Sequence, residues 1–188
     1  ELLFRLCDRS GMVCVPAVQF AGPLPELEAL RQTGGNEAAG LEPLGPDGRT
    51  WMGRTGGQTA SGVYYNALDE RVQRAMIAVV GELAERYGRH ASFGGVAVQL
   101  SPESYALLPD ETCSLDDITF GKFLADTKLQ LPASIEPLHV ARWNYLRQPG
   151  PDRTWLAWRA AKMAAFYRQL RGEIDRHRNG AKLYLTTA

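Results

Sequence analysis

The chain has 188 residues, 45% of them hydrophobic, and its 21 basic side chains balance 21 acidic ones. That length supports one domain with a real core, and a neutral chain without a basic stripe lacks the electrostatic footprint of nucleic-acid binding or of attachment to anionic membranes. No apolar run approaches the roughly 20 residues of a membrane span, and Cys7, Cys14 and Cys113 have neither disulfide-framework nor zinc-ligand spacing.

Leu2, Leu3, Leu6 and Cys7 recur at helical spacing, so residues 1–9 read as the end of a helix that Gly11 stops. Met12 to Phe20 is an almost continuous apolar run and predicts a buried parallel strand covered by helices on both faces, with Pro16 as its weak point because proline has no N–H for a ladder. Residues 21–63 keep no sustained period and are punctuated by Gly34-Gly35, Pro46-Asp47-Gly48 and Gly56-Gly57. Apart from a short helix at Pro25–Thr33, they predict a long loop between strand and helix that carries Trp51. Structureless loops beyond about 12–15 residues are usually lids or binding loops, and one that follows a strand lies on the face where α/β barrels do their chemistry.

Asn66 or Asp69 can cap the clearest helix, in which Val72, Met76, Val79, Val80, Leu83 and Tyr87 share a face until Gly88. Gly95 to Leu100 is a second apolar strand; it ends in Ser101-Pro102-Glu103-Ser104-Tyr105 and so delivers a carboxylate to an edge. Ser114 to Asp117 has the form of a capping box opening a helix to about Asp126. Residues 128–151 read as irregular and proline-rich. A long helix from Asp152 to Arg178 follows, with Trp155, Trp158 and Phe166 as core, and Lys182 to Thr187 reads as a third strand.

Strands alternating with long helices make this an α/β chain, and the expectation is a partial TIM (β/α)8 barrel with parallel strands. Three strands stand where a complete barrel has eight in about 250 residues, so residues 1–188 are expected to be one barrel domain, incomplete at both ends, from a longer protein. No glycine-rich phosphate loop follows any strand, which argues against a doubly wound nucleotide-binding sheet.

Glu103 is the candidate catalytic residue, because a carboxyl at a strand end can act as general acid once burial raises its pKa; a solvated loop glutamate is the alternative. Gln19 and Gln99 also end strands and can bond sugar hydroxyls or local backbone. Trp51, Tyr65, Tyr105 and Trp143 are candidates to line a carbohydrate cleft, and Asn66 is either a ligand contact or a helix cap. Asp116 and Asp117 are explained by capping and the helix dipole. His90, His139 and His177 have no metal-ligand spacing and no serine sits in a G-x-S-x-G elbow, so neither a metal, nor a cofactor, nor a serine hydrolase site is expected.

Tyr64-Tyr65-Asn66-Ala67-Leu68-Asp69-Glu70-Arg71-Val72-Gln73, the strand ending Val98-Gln99-Leu100-Ser101-Pro102-Glu103, and Trp155-Leu156-Ala157-Trp158-Arg159 with Phe166-Tyr167 resemble the bacterial glycosyl-hydrolase-like TIM-barrel proteins labelled family ten glycosylhydrolase-like. The resemblance covers about residues 12–188. It implies a carbohydrate-active barrel cleaving O-glycosidic bonds, in which Glu103 falls at the acid/base position after the fourth strand and a second carboxylate comes from a later one. Pro102 stands where the clan has an asparagine, and Gln99-Leu100-Ser101 where the family commonly has an acidic pattern. These departures carry the alternative, a carbohydrate- or cell-wall-binding barrel without catalysis. A scaffold domain with no ligand is a third reading. The residues fix no compartment; a secreted or periplasmic setting fits the resemblance.

Overall fold

Three parallel strands, β1 (Ala17–Gln19), β2 (Gly95–Leu100) and β3 (Lys182–Thr187), pair in that order, with Gln19 opposite Gln99 and Gln99 opposite Thr186. The computed structural model describes residues 1–56, 62–131 and 138–187. Residues 57–61 of the long loop and 132–137 of the proline-rich segment lie outside it. β1 is much shorter than the apolar run that predicts it. Pro16 contributes only its carbonyl, which accepts the Ala97 N–H at 2.9 Å, and upstream the pairing is reduced to an isolated bridge between Cys14 and Phe93.

Eight helices accompany this ladder among the described residues. α1 (Leu2–Ser10) stops at Gly11, whose φ of 62° is the left-handed conformation that a glycine adopts without steric cost. α2 (Pro25–Thr33) lies where the sequence places it. The long loop is less bare than expected, since it also holds α3 (Gly35–Ala38) and α4 (Trp51–Thr55). α5 (Glu70–Tyr87) is capped by Asp69, whose carboxylate accepts the Arg71 N–H at 2.8 Å. α6 (Asp117–Thr127) is capped by Asp116 rather than by Ser114: Asp116 Oδ1 accepts the Thr119 N–H at 2.8 Å, while Ser114 sits at φ 71° before the cap. The segment expected to be irregular contains α7 (Leu138–Leu146), and α8 (Pro151–His177) follows it.

Because β side chains alternate, the ladder has two different faces. Val18, Val96, Val98, Leu100 and Leu183 pack into the core with Val72, Met76 and Val80 of α5 and with Phe166, Leu170 and Ile174 of α8. Each fully buried side chain of this type stabilises the fold by about 1.5–3 kcal/mol. The opposite face carries Ala17, Gln19, Ala97, Gln99, Tyr184 and Thr186, and Gln19, Tyr184 and Thr186 are exposed. The expectation of helices on both faces is corrected here. The α/β class holds, with three parallel strands and no closed barrel among the described residues.

At the amino end of the strands, Asp8 ties α1 to the turn before β2. Its carboxylate accepts the Ser92 N–H and lies 2.7 Å from His90 Nδ1. These bonds from Ser92 and His90 hold the Asp8 carboxyl down at about 2 against an ordinary 3.8. A depressed carboxyl contributes stability that is present above its unfolded pKa and is lost as pH falls through the folded one. Asp8→Asn is therefore expected to lower the denaturant midpoint at neutral pH, with the gap to wild type closing between about pH 4 and pH 2. A gap independent of pH would show that the carboxylate charge plays no part.

Candidate functional site

The carboxyl edge of the sheet is polar because Gln19, Gln99 and Thr186 lie there in register on the face turned away from the helices. Gln19 Nε2 donates to Ser101 Oγ at 2.7 Å, which links the ends of β1 and β2. Gln99 is half-buried, and its side chain makes no hydrogen bond among the described residues. Beyond Ser101 the chain turns, with the Ser104 N–H bonded to the Ser101 carbonyl at 2.9 Å, and this turn leaves Pro102 and Glu103 exposed. Glu103 has no hydrogen-bond or ion-pair partner among the described residues. It therefore stands in solvent beyond the end of the central strand, not in the buried setting expected for it.

The other predicted site residues divide between this edge and the interior. Tyr65 is fully buried and donates to the Glu28 carboxylate, and burial pushes its phenol well above the ordinary value. Tyr105 is 1% exposed; its hydroxyl donates to the Gly22 carbonyl at 2.8 Å and its ring meets Tyr65 edge-on at 5.0 Å. These two tyrosines glue the long loop to the sheet end, and their faces are closed to a ligand. Asn66 is likewise enclosed. Its Nδ2 donates to the Gly40 carbonyl at 3.1 Å and Thr119 Oγ1 at 2.8 Å, and its Oδ1 accepts from the Leu68 N–H at 3.2 Å and Ser114 Oγ at 3.0 Å. Trp51 begins α4 and is half-buried, 6.1 Å from the Tyr64 ring. Trp143 lies on α7 and lines a separate pocket with Trp155 and Glu111. Thus Gln19 and Gln99 are in register at the carboxyl edge of the sheet and Glu103 lies exposed in the turn that follows, whereas Tyr65, Asn66 and Tyr105 are buried, Trp51 packs toward Tyr64 and Trp143 lines a separate pocket.

The chain folds like part of a beta-galactosidase. One similar solved structure is that of the beta-galactosidase from the psychrophilic Marinomonas ef1, with a TM-score of 0.55, 13% sequence identity and coverage of 98% of this chain. The chain spans 28% of the length of that protein. No family model matches the sequence. No curated protein matches it either. The likeness is therefore one of backbone fold.

Two further carboxylates on the loop side escaped sequence reasoning. Glu28 of α2 is held below the ordinary range by its bonds to Arg31, while burial pushes Glu42 up, with like charge on Glu28 adding to it and Arg31 opposing. The Glu28 and Arg31 pair at i, i+3 is visible in the sequence as a helix-surface pair; Glu42 sits in a loop without pattern, so nothing signals it. No cluster of three or more metal-ligating side chains is found among the described residues, and no helix among them is long and apolar enough to cross a membrane. Cys7, Cys14 and Cys113 are unpaired. Burial raises the Cys113 thiol to about 12, far from the reactive range.

Proposed function

We propose that the chain is part of a glycoside hydrolase-like domain that cleaves O-glycosidic bonds in an oligo- or polysaccharide, with Glu103 as the acid/base. The observation that carries this reading is the exposed carboxylate of Glu103 in the turn that follows the central strand, on the edge where the amides Gln19 and Gln99 end their strands in register. In α/β barrels that edge is where substrates are held. The similarity of the backbone to a beta-galactosidase supports it. Glu103 protonates the leaving oxygen as the bond breaks, and Gln19 and Gln99 hold sugar hydroxyls. Glycoside cleavage requires a second carboxylate about 5–5.5 Å away for retention or about 6.5–9.5 Å for inversion. That partner is assigned to a later strand of a longer barrel.

A second reading, a carbohydrate-binding barrel domain without catalysis, is favoured by the solvent exposure of Glu103 and by Pro102 beside it. Turnover of a panel of aryl glycosides by the full-length protein, which carries the second carboxylate, separates the two. Glu103→Gln is expected to lower the rate by about 10²–10⁴-fold, the range for removal of a general acid, with binding of the intact glycoside retained. Equal turnover in wild type and variant refutes the acid/base role. Binding without any turnover in wild type establishes the second reading.

A further inference from the structure

Where the end of α7 meets the first turns of α8 there is a pocket of about 260 Å³. None of Gln19, Gln99 and Glu103 lines it. Its apolar wall is made by Trp143, Trp155 and Leu156, and its polar groups are Glu111, Arg147 and Asp152. Trp155 is rigid: it is 1% exposed, its indole N–H donates to the Glu111 carbonyl at 3.0 Å, and its ring stacks on Trp158 at 5.5 Å and 14°. The same bond fixes the backbone that carries the Glu111 carboxylate. The side chains of Glu111 and Arg147 are exposed, and neither has a hydrogen bond or ion pair among the described residues. Asp152 Oδ1 is occupied by the N–H groups of Gly150 and Arg153, which leaves Oδ2.

We propose that this pocket is a second carbohydrate site that holds one neutral hexose ring. The volume lies just under the roughly 300–1,000 Å³ of sites for drug-sized ligands, so it suits a single ring. The half-buried Trp143 indole, backed by the buried Trp155, suits a ligand with an apolar C–H face, and the rim carries one donor, Arg147, and two acceptors, Glu111 and Asp152. A hexose meets both demands, because each of its hydroxyls both donates and accepts. The two carboxylates disfavour an anionic ligand, and a simple cation offers no acceptor to the Arg147 guanidinium, whereas a neutral polyol can use all three groups. The inference does not depend on hydrolysis at Glu103, since the two sites share no residue.

Titration of the protein with D-galactose, D-glucose and N-acetyl-D-glucosamine, followed by tryptophan fluorescence and by calorimetry, tests it, with choline chloride as the cationic control. At least one hexose is expected to bind in the millimolar range, with Trp143→Ala and Glu111→Gln each weakening it by about tenfold or more. Glu111 is a surface side chain, so its substitution leaves the fold intact even where loss of Trp143 loosens α7. Glu103→Gln is expected to bind the same hexose with wild-type affinity. No binding of any hexose, binding of choline instead, or binding lost in Glu103→Gln but kept in Glu111→Gln each overturns the proposal. The last of these outcomes would place the sugar at the strand edge and leave the hydrolytic reading standing.

Discussion

Gly95→Ala is expected to destabilise the protein by about 4 kcal/mol or more, in the range reserved for specific structural failures. A Cβ at this position would lie 1.8 Å from the Lys182 carbonyl oxygen and 2.6 Å from its nitrogen. Both are backbone atoms, so no side-chain rotation can relieve the contact. The φ of 133° is itself one that side-chain-bearing residues rarely adopt and costs about 1–3 kcal/mol. Gly95 opens β2 opposite the first residue of β3, where the Lys182 N–H also donates to the Gly94 carbonyl at 3.0 Å. A methyl group there pushes β3 away from the sheet at the point where pairing begins, and Leu183 leaves the core with it. Gly172→Ala on α8 is the matched control. Nothing lies within 4 Å of its added carbon and its backbone is helical, so it should gain about 1 kcal/mol. Denaturant midpoints of the two variants should move in opposite directions. A loss below about 1 kcal/mol for Gly95→Ala would mean that β3 is not held against β2 as closely as the backbone contact implies.

Much of the fold is legible in the sequence because its largest elements obey single periods. α5 alternates apolar and charged residues at helical spacing, α8 does so around Trp155, Met163, Phe166, Leu170 and Ile174, and β2 is apolar throughout until its polar end. The missed elements are those where long-range contacts override local pattern. α7 places Arg142 in the interior, 5.1 Å from the Phe120 ring centre, where it donates to the Leu115 carbonyl and the Asp117 carboxylate. A reading of arginine as a surface residue breaks the helical face there. At the site the same effect works in reverse. Tyr65 and Tyr105 sit in segments without period and look like exposed stacking surfaces, yet their hydroxyls find buried acceptors, and so the rings can be withdrawn into the core. The positions of Gln19, Gln99 and Glu103 at or just after strand ends are legible because an apolar run that breaks into polar residues marks where a strand stops. Their roles are not, since a site at such an edge is built from several strands at once.

Asn66→Ala is expected to cost about 3–5 kcal/mol, the range for breaking a buried polar network. Five groups from four segments converge on this amide: Gly40 in the long loop, Leu68 just before α5, Ser114 and Asp116 before α6, and Thr119 within it. Removing it leaves the buried Ser114 hydroxyl and the Leu68 N–H without their acceptor, and each unsatisfied group costs about 1–3 kcal/mol. It also strips a donor from Asp116, a 3% exposed carboxyl that burial already pushes above its ordinary value and that the nearby Asp69 charge pushes further. A raised folded pKa favours the folded state below the unfolded value, and that gain disappears as pH rises through the folded one. Asn66→Asp adds a third carboxyl to the same enclosure. Its penalty should be greatest at neutral pH and should shrink on acidification, as protons neutralise the cluster, whereas Asn66→Ala lacks the added charge and should show a weaker trend. Chemical denaturation of both variants at neutral pH and near pH 4 measures the difference. Wild-type stability in both, together with lost glycoside binding, would move Asn66 from the framework to the ligand. The network predicts the opposite result, because every hydrogen-bonding atom of this amide is already met by the protein.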